Sequence, residues 1–469
     1  MTGPPAWVED AVFYEIMPDR FDNGDPSNDP RGTRPWGARP TRRSFFGGDL
    51  EGIRKRLDYL DGLGVTALYL TPVFKAPSNH KYDTTDYLQV DPHLGGNGAL
   101  KRLVLEAHQR GMRVVLDGVF NHTGDSFWAF RDVLRRGANS PYKDWYYFDS
   151  FPVRRRPPNY RACGGAHFLP KLNVSNPAVR EYLLNVARYW IQEADIDGWR
   201  LDVPWEVPHE FWREFRSAVK EVRPDAYLIG EAWGDPGPWL QGDEFDGATH
   251  YRLRELLLRF IVQQAIDAAT FDRELAALRN SCPGSFRRSM LTLLGSHDTP
   301  RVMTMADRRS APVQALFAFL FAFEGVPLIY YGDEIGLEGG RDPDCRRCML
   351  WEESTWDRDL AKLVQTLSRL RKEHPALRKG GFSAVLTQER AYAFLRIYGN
   401  DRVLVAINAG FQPESLFLNE PSGENMWYDE LSHRYYHSDQ QNLLTIKLPP
   451  SGVAILTPGG SRGLTLSVG

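Results

Sequence analysis

The sequence predicts an α/β protein built on a (β/α)8 TIM barrel, with an inserted subdomain after strand 3 and a C-terminal antiparallel β-domain. The first observation is that short β-branched or aromatic runs alternate with amphipathic segments up to residue 378. This alternation is typical of parallel strands with helices packed outside them. The second observation is that short strands separated by turn signals follow, as in AYAFLRIYGNDRVLVAINAG at 391–410. Eight strand–helix units suit a closed barrel with an apolar interior.

Eight strand candidates, each a short and mainly apolar run, occur in order at 11–18, 67–72, 113–119, 198–203, 226–232, 245–251, 289–297 and 327–334. Helical periodicity follows several of them, most clearly at 49–64, 98–111, 177–194 and 209–223. The run ALFAFLFAF at 315–323 is about half as long as a bilayer span requires, so it predicts a buried helix.

The predicted domains follow from these patterns. The barrel is expected to comprise residues 1–122 and 177–378. Residues 123–176 are too long for a plain connection and are rich in Pro, Arg and aromatic residues, so they predict an inserted subdomain. Residues 379–469 are expected to form a C-terminal β-sandwich domain.

Composition and charge exclude several classes of protein. A net charge of −3 gives no argument for a nucleic-acid partner, and no apolar run is long enough for a membrane protein. Four cysteines are too few for a disulfide framework, and the single CxxC lacks the second pair of a zinc site. The N-terminus, MTGPPAWVED, has neither a basic start nor an apolar core. We therefore expect a cytoplasmic protein, with secretion open if a leader was removed.

Polar residues collect where the predicted strands end, and the C-terminal strand ends of such a barrel face its active site. Any one of these residues alone could be a helix cap or a structural ion pair. Together, at four strand ends, they predict one active site rich in carboxylates. The residues are Asp117, Asn121 and His122 after strand 3, Arg200 and Asp202 after strand 4, Glu231 after strand 5, and His297 and Asp298 after strand 7.

Carboxylates without Cys or His ligand spacing favour acetal hydrolysis over metal-dependent hydrolysis. A retaining glycosidase needs an ionised carboxylate as nucleophile and a protonated carboxylic acid about 5 Å away. Asp202 follows Arg200 by two residues, so both share one face of a strand and the guanidinium is expected to hold Asp202 ionised. Glu231 lies between apolar neighbours in IGEAW, so desolvation is expected to raise its pKa, as a general acid requires. The alternative is a purely structural Arg200–Asp202 pair.

Four segments in this order and spacing, DGVFNH, GWRLDVPWE, GEAW and GSHDTPR, resemble the four sequence regions of the α-amylase superfamily. LPKLN at 169–173 resembles the additional region of its neopullulanase, cyclomaltodextrinase and maltogenic amylase branch. The resemblance implies a retaining hydrolase of α-1,4-glucosidic bonds in starch, cyclodextrins or pullulan that gives mainly maltose-type products. It leaves open α-1,6 cleavage and transglycosylation. It implies Asp202 as nucleophile, Glu231 as acid/base and Asp298 as transition-state stabiliser.

The resemblance also implies further contacts with the α-glucan substrate. Around the reacting glucose it places His80, Tyr82, His122, Arg200 and His297. Asp342 and Arg346 of RDPDCRR match residues that hold the next sugar inward. Trp205 and Glu206 follow the fourth strand, where a leaving sugar or an acceptor would lie. Trp205 replaces a small polar residue that is usual in the branch, and the alternative is that it only fills space beside the inserted subdomain.

A candidate metal site is formed by the segment NGDPSND at 23–29, which is followed by GGD at 47–49. Asn23, Asp25, Asn28 and Asp29 offer oxygen ligands on an irregular Gly/Pro turn, which suits Ca²⁺. The alternative is an Asx-rich turn without a metal. Similar loops hold structural calcium in this branch, and the resemblance adds the Gly47 carbonyl and Asp49 as ligands.

The branch usually carries an N-terminal β-domain that covers the active site of a partner in a dimer, whereas the first strand here begins near Val12. A monomer with a more open cleft is therefore expected. Two other functions stay open: an exo-acting α-glucosidase on maltooligosaccharides, and a non-catalytic glycan-binding barrel. The full set of carboxylates argues against the non-catalytic glycan-binding barrel. The sequence does not rank starch, cyclodextrin and pullulan as substrates.

Overall fold

The barrel is closed by eight short parallel strands in the computed structural model, which describes residues 3–420 and 422–459. In chain order the strands up to residue 330 are β1 (Phe13–Ile16), β2 (Ala67–Leu70), β3 (Phe74–Lys75), β4 (Asp86–Val90), β5 (Arg113–Gly118), β6 (Gly198–Leu201), β7 (Tyr227–Gly230), β8 (Gly247–Ala248), β9 (Leu291–Leu293) and β10 (Val326–Tyr330). Eight of them form one sheet in the order β8-β7-β6-β5-β2-β1-β10-β9. A parallel bridge from Thr249 to Leu291 joins its two ends. The predicted barrel is confirmed.

The helices of the described residues surround this barrel and extend from its connections. They are α1 (Pro18–Phe21), α2 (Leu50–Lys55), α3 (Leu57–Gly62), α4 (Gly96–Gln109), α5 (Trp128–Arg136), α6 (Pro177–Ala194), α7 (His209–Val222), α8 (Tyr251–Leu257), α9 (Ala268–Ser281), α10 (Val302–Met305), α11 (Ser310–Ala322), α12 (Arg358–Glu373) and α13 (Pro375–Lys379). Each helix in residues 3–420 and 422–459 is too short or too polar to cross a lipid bilayer.

Two helices show how local sequence sets their ends. The α6 helix matches the predicted range 177–194, because Asn176 caps it by accepting a hydrogen bond from the Ala178 amide at 2.9 Å. The helix predicted at 49–64 is instead divided. The backbone of Arg56 leaves helical geometry, with φ −101° and ψ 8°, so α2 ends before α3 begins.

The barrel interior is packed by alternate residues of the strands. Phe13 of β1 belongs to the buried cluster inside the barrel, together with Ala67 and Tyr69 of β2. Tyr14 and Ile16 belong to the cluster between strands and helices. Because side chains alternate along a strand, Glu15 points to the same side as Phe13, into the barrel.

Two segments over the C-terminal mouth of the barrel carry further polar residues. The antiparallel pair β3–β4 was not predicted, and the loop between its strands holds His80 and Tyr82. The insertion between β5 and α6 contains α5 and an aromatic core in which Phe130 packs against Tyr146 at 5.0 Å. A bridge between His122 and Lys171 ties this insertion to the end of β5.

The C-terminal part is entirely antiparallel, as predicted. Its strands are β11 (Gly381–Gln388), β12 (Ala391–Tyr398), β13 (Asp401–Asn408), β14 (Glu414–Asn419), β15 (Met426–Asp429), β16 (Tyr435–His437), β17 (Leu443–Leu448) and β18 (Val453–Pro458). Six form a sheet in the order β11-β12-β13-β18-β15-β16, and β14 pairs with β17. The predicted ranges 1–122 and 379–469 also include residues 1–2, 421 and 460–469, which lie outside the described residues.

The α11 helix connects the barrel to the C-terminal sheet. It is buried along nearly its whole length, as its apolar sequence predicts. Phe319 at its centre lies 5.7 Å from Phe271 of α9 and 5.3 Å from Phe394 of β12, between ring centroids. The barrel and the C-terminal sheet therefore share one continuous core.

Phe319→Ala should lower the free energy of unfolding by about 3–5 kcal/mol, since it removes a fully buried ring and leaves a cavity. Chemical denaturation measures this change. The control is Phe417→Ala, because Phe417 is 54% exposed on β14 and should change stability by only about 0.5 kcal/mol. Equal losses in both variants would contradict the shared core.

Candidate active site

Arg200 of β6 lies at the centre of the polar cluster at the barrel mouth. Its Nη1 donates to Asp117 Oδ1 at 2.9 Å and to Asp202 Oδ1 at 2.9 Å. Its Nη2 lies 3.0 Å from Glu231 Oε1. One buried guanidinium therefore holds three carboxylates from three neighbouring strand ends, and Asp202 and Glu231 lie side by side on its two terminal nitrogens.

Asp117 forms the base of this cluster. Both of its oxygens face Arg200 Nη1, at 2.9 and 3.1 Å. Its Oδ2 also accepts from the Tyr69 hydroxyl at 2.6 Å and the Tyr82 hydroxyl at 2.8 Å. Asp117 is thus a fully bonded acceptor, and its contacts hold the guanidinium between Asp202 and Glu231.

The electrostatics of Asp202 differ from the sequence expectation. Burial raises the pKa of Asp202 well above its usual range, and Arg200 offsets this only in part. The guanidinium is shared with Asp117 and Glu231, which repel a charge on Asp202. The expectation that Arg200 holds the pKa of Asp202 low is therefore wrong as a net effect. The structural ion pair and the candidate active site share the same residues, because one guanidinium contacts all three carboxyl groups.

Glu231 is fixed by donors on both sides. Its Oε2 accepts from the Val203 amide at 3.0 Å, and its Oε1 accepts from Trp233 Nε1 at 2.9 Å. Val203 has φ 38° and ψ 52°, a left-handed conformation that is strained for a β-branched residue. The strain aims the amide that follows Asp202 at Glu231, so the two carboxyl groups are coupled through the backbone as well.

Asp298 is held by two cations at the rim. Its Oδ2 lies 3.1 Å from His297 Nε2, and its Oδ1 lies 3.1 Å from Arg346 Nη2. Burial would raise the pKa of Asp298, but the charges of His297 and Arg346 outweigh it and hold the pKa well below the usual range. Asp298 is thus an ionised acceptor.

Arg346 links Asp298 to Asp342. Its Nη1 lies 3.3 Å from Asp342 Oδ1, and its Nε donates to the His297 carbonyl at 2.8 Å. The structure therefore brings Asp342 and Arg346 to the same side of the mouth as Asp298. Their predicted contacts with a sugar stay a prediction.

His80 and His122 lie near the same mouth as neutral rings. Burial lowers the pKa of each to about 4. His122 Nε2 is buried without a hydrogen-bond partner within the described part of the chain. Tyr82 Oη lies 2.7 Å from His297 Nε2. The unpaired His122 Nε2 is therefore available to hydrogen-bond a hydroxyl of a ligand bound in the mouth.

Glu206 is anchored to the insertion, whereas Trp205 is open. Lys171 Nζ donates at 2.8 Å to both Glu206 Oε2 and the Glu206 carbonyl, and at 2.9 Å to Asn121 Oδ1. The three ammonium protons are all used. Trp205, the residue before Glu206, is 48% exposed, so its indole faces outward beside the nucleophile loop.

Residues 15–384 match the family model described as the alpha amylase catalytic domain. The chain belongs to the alpha-amylase family. The cyclomaltodextrinase of Geobacillus thermopakistaniensis (strain MAS1) is 46% identical over 455 residues, which cover 96% of this chain and 77% of that protein. Neopullulanase 2 of Thermoactinomyces vulgaris is 46% identical over 458 residues, covering 96% and 78%.

A solved structure extends the comparison. The cyclic alpha-maltosyl-(1→6)-maltose hydrolase from Arthrobacter globiformis, in complex with cyclic alpha-maltosyl-(1→6)-maltose, has a TM-score of 0.90 and is 44% identical. The match covers 97% of this chain and 100% of that chain. The sequence resemblance to the alpha-amylase family and its neopullulanase branch is therefore confirmed.

The loop of Asn23, Asp25, Asn28 and Asp29 lies beside Gly47, because a Cβ on Gly47 would be only 2.3 Å from Asp29 Oδ1. Asn23 Oδ1 and Asn28 Oδ1 are buried without hydrogen-bond partners among the described residues, which fits an oxygen-liganded cation. Asp49 instead accepts four hydrogen bonds. They come from the amides of Gly24, Asp25 and Gly52 and from Asn28 Nδ2.

No group of three or more His, Cys, Asp or Glu side chains in residues 3–420 and 422–459 is arranged to hold a metal ion. A cation in this loop would therefore need amide or backbone oxygens in addition to carboxylates. The carboxylate of Asp25 is exposed and accepts from the Ser27 amide at 3.1 Å. The ligand set stays a prediction.

The sequence interpretation missed several residues of the site. Glu15 contacts His297 Nδ1 at 2.6 Å, and its signal was the single charge in the apolar strand FYEI. Lys171 was visible only as part of LPKLN, and Trp233 only as part of GEAW. Tyr69 gave no signal, because an aromatic residue in a strand is more often core.

Val203→Gly should leave the melting temperature unchanged or raise it, since it relieves strain of about 1–3 kcal/mol. It should nevertheless lower kcat, because the freed backbone no longer fixes the amide that binds Glu231. Thermal unfolding and cyclodextrin hydrolysis measure the two effects. The control is Val119→Gly, at a buried position outside the left-handed region, which should lower the melting temperature. A similar fall in both variants would contradict strain at Val203.

Proposed function

We propose that the chain is a retaining α-glucan hydrolase that cleaves α-1,4-glucosidic bonds in cyclodextrins, starch or pullulan and releases mainly maltose-type products. The observation that supports this most strongly is the placement of Asp202 and Glu231 on two nitrogens of one guanidinium. Retaining glycosidases use two carboxyl groups about 5–5.5 Å apart. The names of the cyclomaltodextrinase and neopullulanase relatives support the substrate class.

In this mechanism Glu231 donates a proton to the glycosidic oxygen while Asp202 attacks the anomeric carbon. The leaving sugar departs with the proton, and a covalent glycosyl ester forms on Asp202. Glu231 then takes a proton from water, which attacks the anomeric carbon and breaks its bond to Asp202. Asp298, which is ionised, accepts hydrogen bonds from ring hydroxyls in the transition state.

The mechanism requires one protonated and one ionised carboxyl group, and both candidates lie on Arg200. Asp117, Asp202 and Glu231 share the single positive charge of Arg200. Burial raises the pKa of Asp202 and of Asp117, and the charge of Arg200 offsets this only in part. The mechanism requires the proton on Glu231 and the anion on Asp202, and the Arg200 guanidinium 2.9 Å from Asp202 Oδ1 favours that anion.

A second candidate substrate is cyclic maltosyl-(1→6)-maltose. Its support is that the match to the Arthrobacter globiformis hydrolase covers that chain completely, whereas the cyclomaltodextrinase is covered to 77%. This substrate contains α-1,6 as well as α-1,4 linkages. Product analysis distinguishes it from cyclodextrin and from an exo-acting α-glucosidase, which would release glucose alone.

Purified enzyme should release maltose-type products from cyclodextrin, starch or pullulan, with the α-anomer formed first. Double displacement retains configuration. Chromatography identifies the products and proton NMR identifies the anomer. Asp202→Asn should reduce kcat by several orders of magnitude while the melting temperature stays close to wild type. An initial β-anomer, or variant activity above about a tenth of wild type, would overturn the proposal.

Trp205→Ala should weaken binding of longer substrates by roughly 1–3 kcal/mol and lower the ratio of transfer to hydrolysis. The exposed indole offers a face for an acceptor sugar, which water does not need. Trp205→Asn should change the same ratio without abolishing turnover. The measurement is the yield of transfer products from maltotriose against total cleavage.

The matched control is Trp128→Ala on α5, where the ring is 41% exposed but packs against Tyr142 at 4.8 Å. It should leave the transfer ratio unchanged. If Trp205→Ala also leaves the ratio unchanged and only lowers the melting temperature, Trp205 is a packing residue beside the insertion.

We propose that the loop 23–29 holds a structural Ca²⁺ ion. The supporting observation is the pair of unpartnered oxygens on Asn23 and Asn28. Bound there, the cation would join the loop to Gly47 through oxygen ligands, with no part in bond cleavage. Asp29 lies on the side of Gly47 where a Cβ would be only 2.3 Å from its Oδ1.

EDTA should lower the melting temperature more than it lowers turnover measured promptly at low temperature. A ligand bound only by the folded state adds about 2.7 kcal/mol at one hundred times its dissociation constant. Excess calcium should restore the melting temperature, and Asn23→Ala should abolish most of the EDTA effect. An unchanged melting temperature, with no calcium by elemental analysis, would refute the site.

The cytoplasm is the location that we propose. All four cysteines are free, and Cys282, Cys345 and Cys348 are buried. Free thiols are typical of proteins in reducing compartments. The expected monomeric state stays a prediction.

A further inference from the structure

We propose that Glu15 is a positioning residue that keeps His297 as a doubly protonated imidazolium and so orients Asp298 for the reaction. The inference rests on the proposed function of the site and assigns a part in it to β1, which carries none of the predicted catalytic groups. It follows from the hydrogen-bond geometry around the two ring nitrogens of His297.

The Nδ1 side of the ring faces Glu15. Nδ1 lies 2.6 Å from Glu15 Oε1, and the His297 backbone amide donates to the same oxygen at 3.1 Å. A carboxylate oxygen only accepts, so Nδ1 carries a proton. The two contacts hold both the ring and the backbone of His297 against β1.

The Nε2 side of the ring also faces acceptors. Tyr82 Oη lies 2.7 Å from Nε2, but the single Tyr82 proton is donated to Asp117 Oδ2 at 2.8 Å. Asp117 Oδ2 also accepts from the Tyr69 hydroxyl at 2.6 Å and lies 3.1 Å from Arg200 Nη1, so Asp117 is the acceptor in this contact. The Tyr82 oxygen therefore accepts from Nε2, and Asp298 Oδ2 lies on the same nitrogen at 3.1 Å.

Both nitrogens are therefore donors, which only the imidazolium provides. A neutral ring would direct one lone pair at a carboxylate or at the Tyr82 oxygen. Burial lowers the pKa of His297, but Asp298 and Glu15 outweigh it and raise the pKa to about 10. The ionisable groups that face this ring and its two carboxylates from the surrounding elements are Tyr69, Tyr82, Asp117, Arg200, Tyr251, Tyr330, Cys345 and Arg346.

The position of Glu15 suits this role. Glu15 is 1% exposed, and no Lys or Arg side chain among the described residues lies within ion-pair distance of it. Its ion pair is with His297. A buried carboxylate without a cationic partner would be costly, so Glu15 and the His297 cation stabilise each other.

The consequence for Asp298 is electrostatic. The His297 cation is a main cause of the low pKa of Asp298, and Asp298 must stay ionised to accept hydrogen bonds from sugar hydroxyls. Glu15 thus acts on the substrate through two intervening side chains. Folding raises the pKa of His297 from 6.5 to about 10. The stability that this shift contributes is therefore fully present below pH 6.5 and is lost as the pH rises through about 10.

The test is Glu15→Gln in the full-length enzyme, with ¹⁵N-labelled histidine followed by NMR from pH 5 to 10. In the wild type, His297 should keep both protons at neutral pH. In Glu15→Gln the amide oxygen can still accept from Nδ1, but the charge is gone, so the His297 pKa should fall by about one unit or more. The apparent pKa of the basic limb of the kcat/KM profile should fall by a similar amount, and kcat should recover at lower pH.

Glu15→Ala should lower kcat at all pH values, because it removes the acceptor as well as the charge, and Glu15→Gln should restore part of it. The matched control is Glu334→Gln, since Glu334 is a fully buried carboxylate bonded to Tyr14 and Tyr59 without contact with His297. It should alter the melting temperature and leave the His297 signals unchanged.

A neutral His297 in the wild type at pH 7 would overturn the proposal, and so would a His297 pKa that is equal in wild type and Glu15→Gln. The NMR titration reports on His297 whatever the substrate is. An enzyme that cleaves no α-glucan but shows the predicted titration would refute the proposed function alone.

Discussion

The shared guanidinium of Arg200 is the interaction on which the rest of the site depends. Its two terminal nitrogens fix carboxyl groups from β5, from the end of β6 and from the end of β7. This contact sets the spacing of the two carboxyls that do the proposed chemistry. It also places three carboxyl groups on one positive charge, so the pKa values of the buried Asp117 and Asp202 lie above their usual range. Removing any member would change both the geometry and the protonation of the others.

Much of the barrel and of its polar mouth could be predicted from the sequence. Strands of a parallel sheet are buried on both faces, so they appear as apolar runs, and residues such as Asp117 and Arg200 stand out against them. The mouth follows from topology, because the C-terminal ends of all eight strands meet on one side. The positions of the carboxylates at strand ends therefore place them at the mouth without any knowledge of distances.

Other features could not be predicted, because they depend on contacts between distant segments. The strand β8 has only two residues, and its pairing with β7 defines it more than its own sequence does. Glu15 is separated from His297 by 282 positions, so nothing local marks their contact. The pKa of Asp202 depends on how many carboxylates share Arg200, which adjacency along the chain does not reveal.

The burial of α11 determines how separable the two parts of the chain are. A helix with one apolar face can serve one core, whereas α11 is apolar all round and has Phe271 on one side and Phe394 on the other. Along α11, the barrel and the C-terminal sheet consequently pack into one buried apolar cluster. Separating the terminal sheet from the barrel would therefore expose the apolar surface of α11 to water, which makes the sheet a structural part of the catalytic domain.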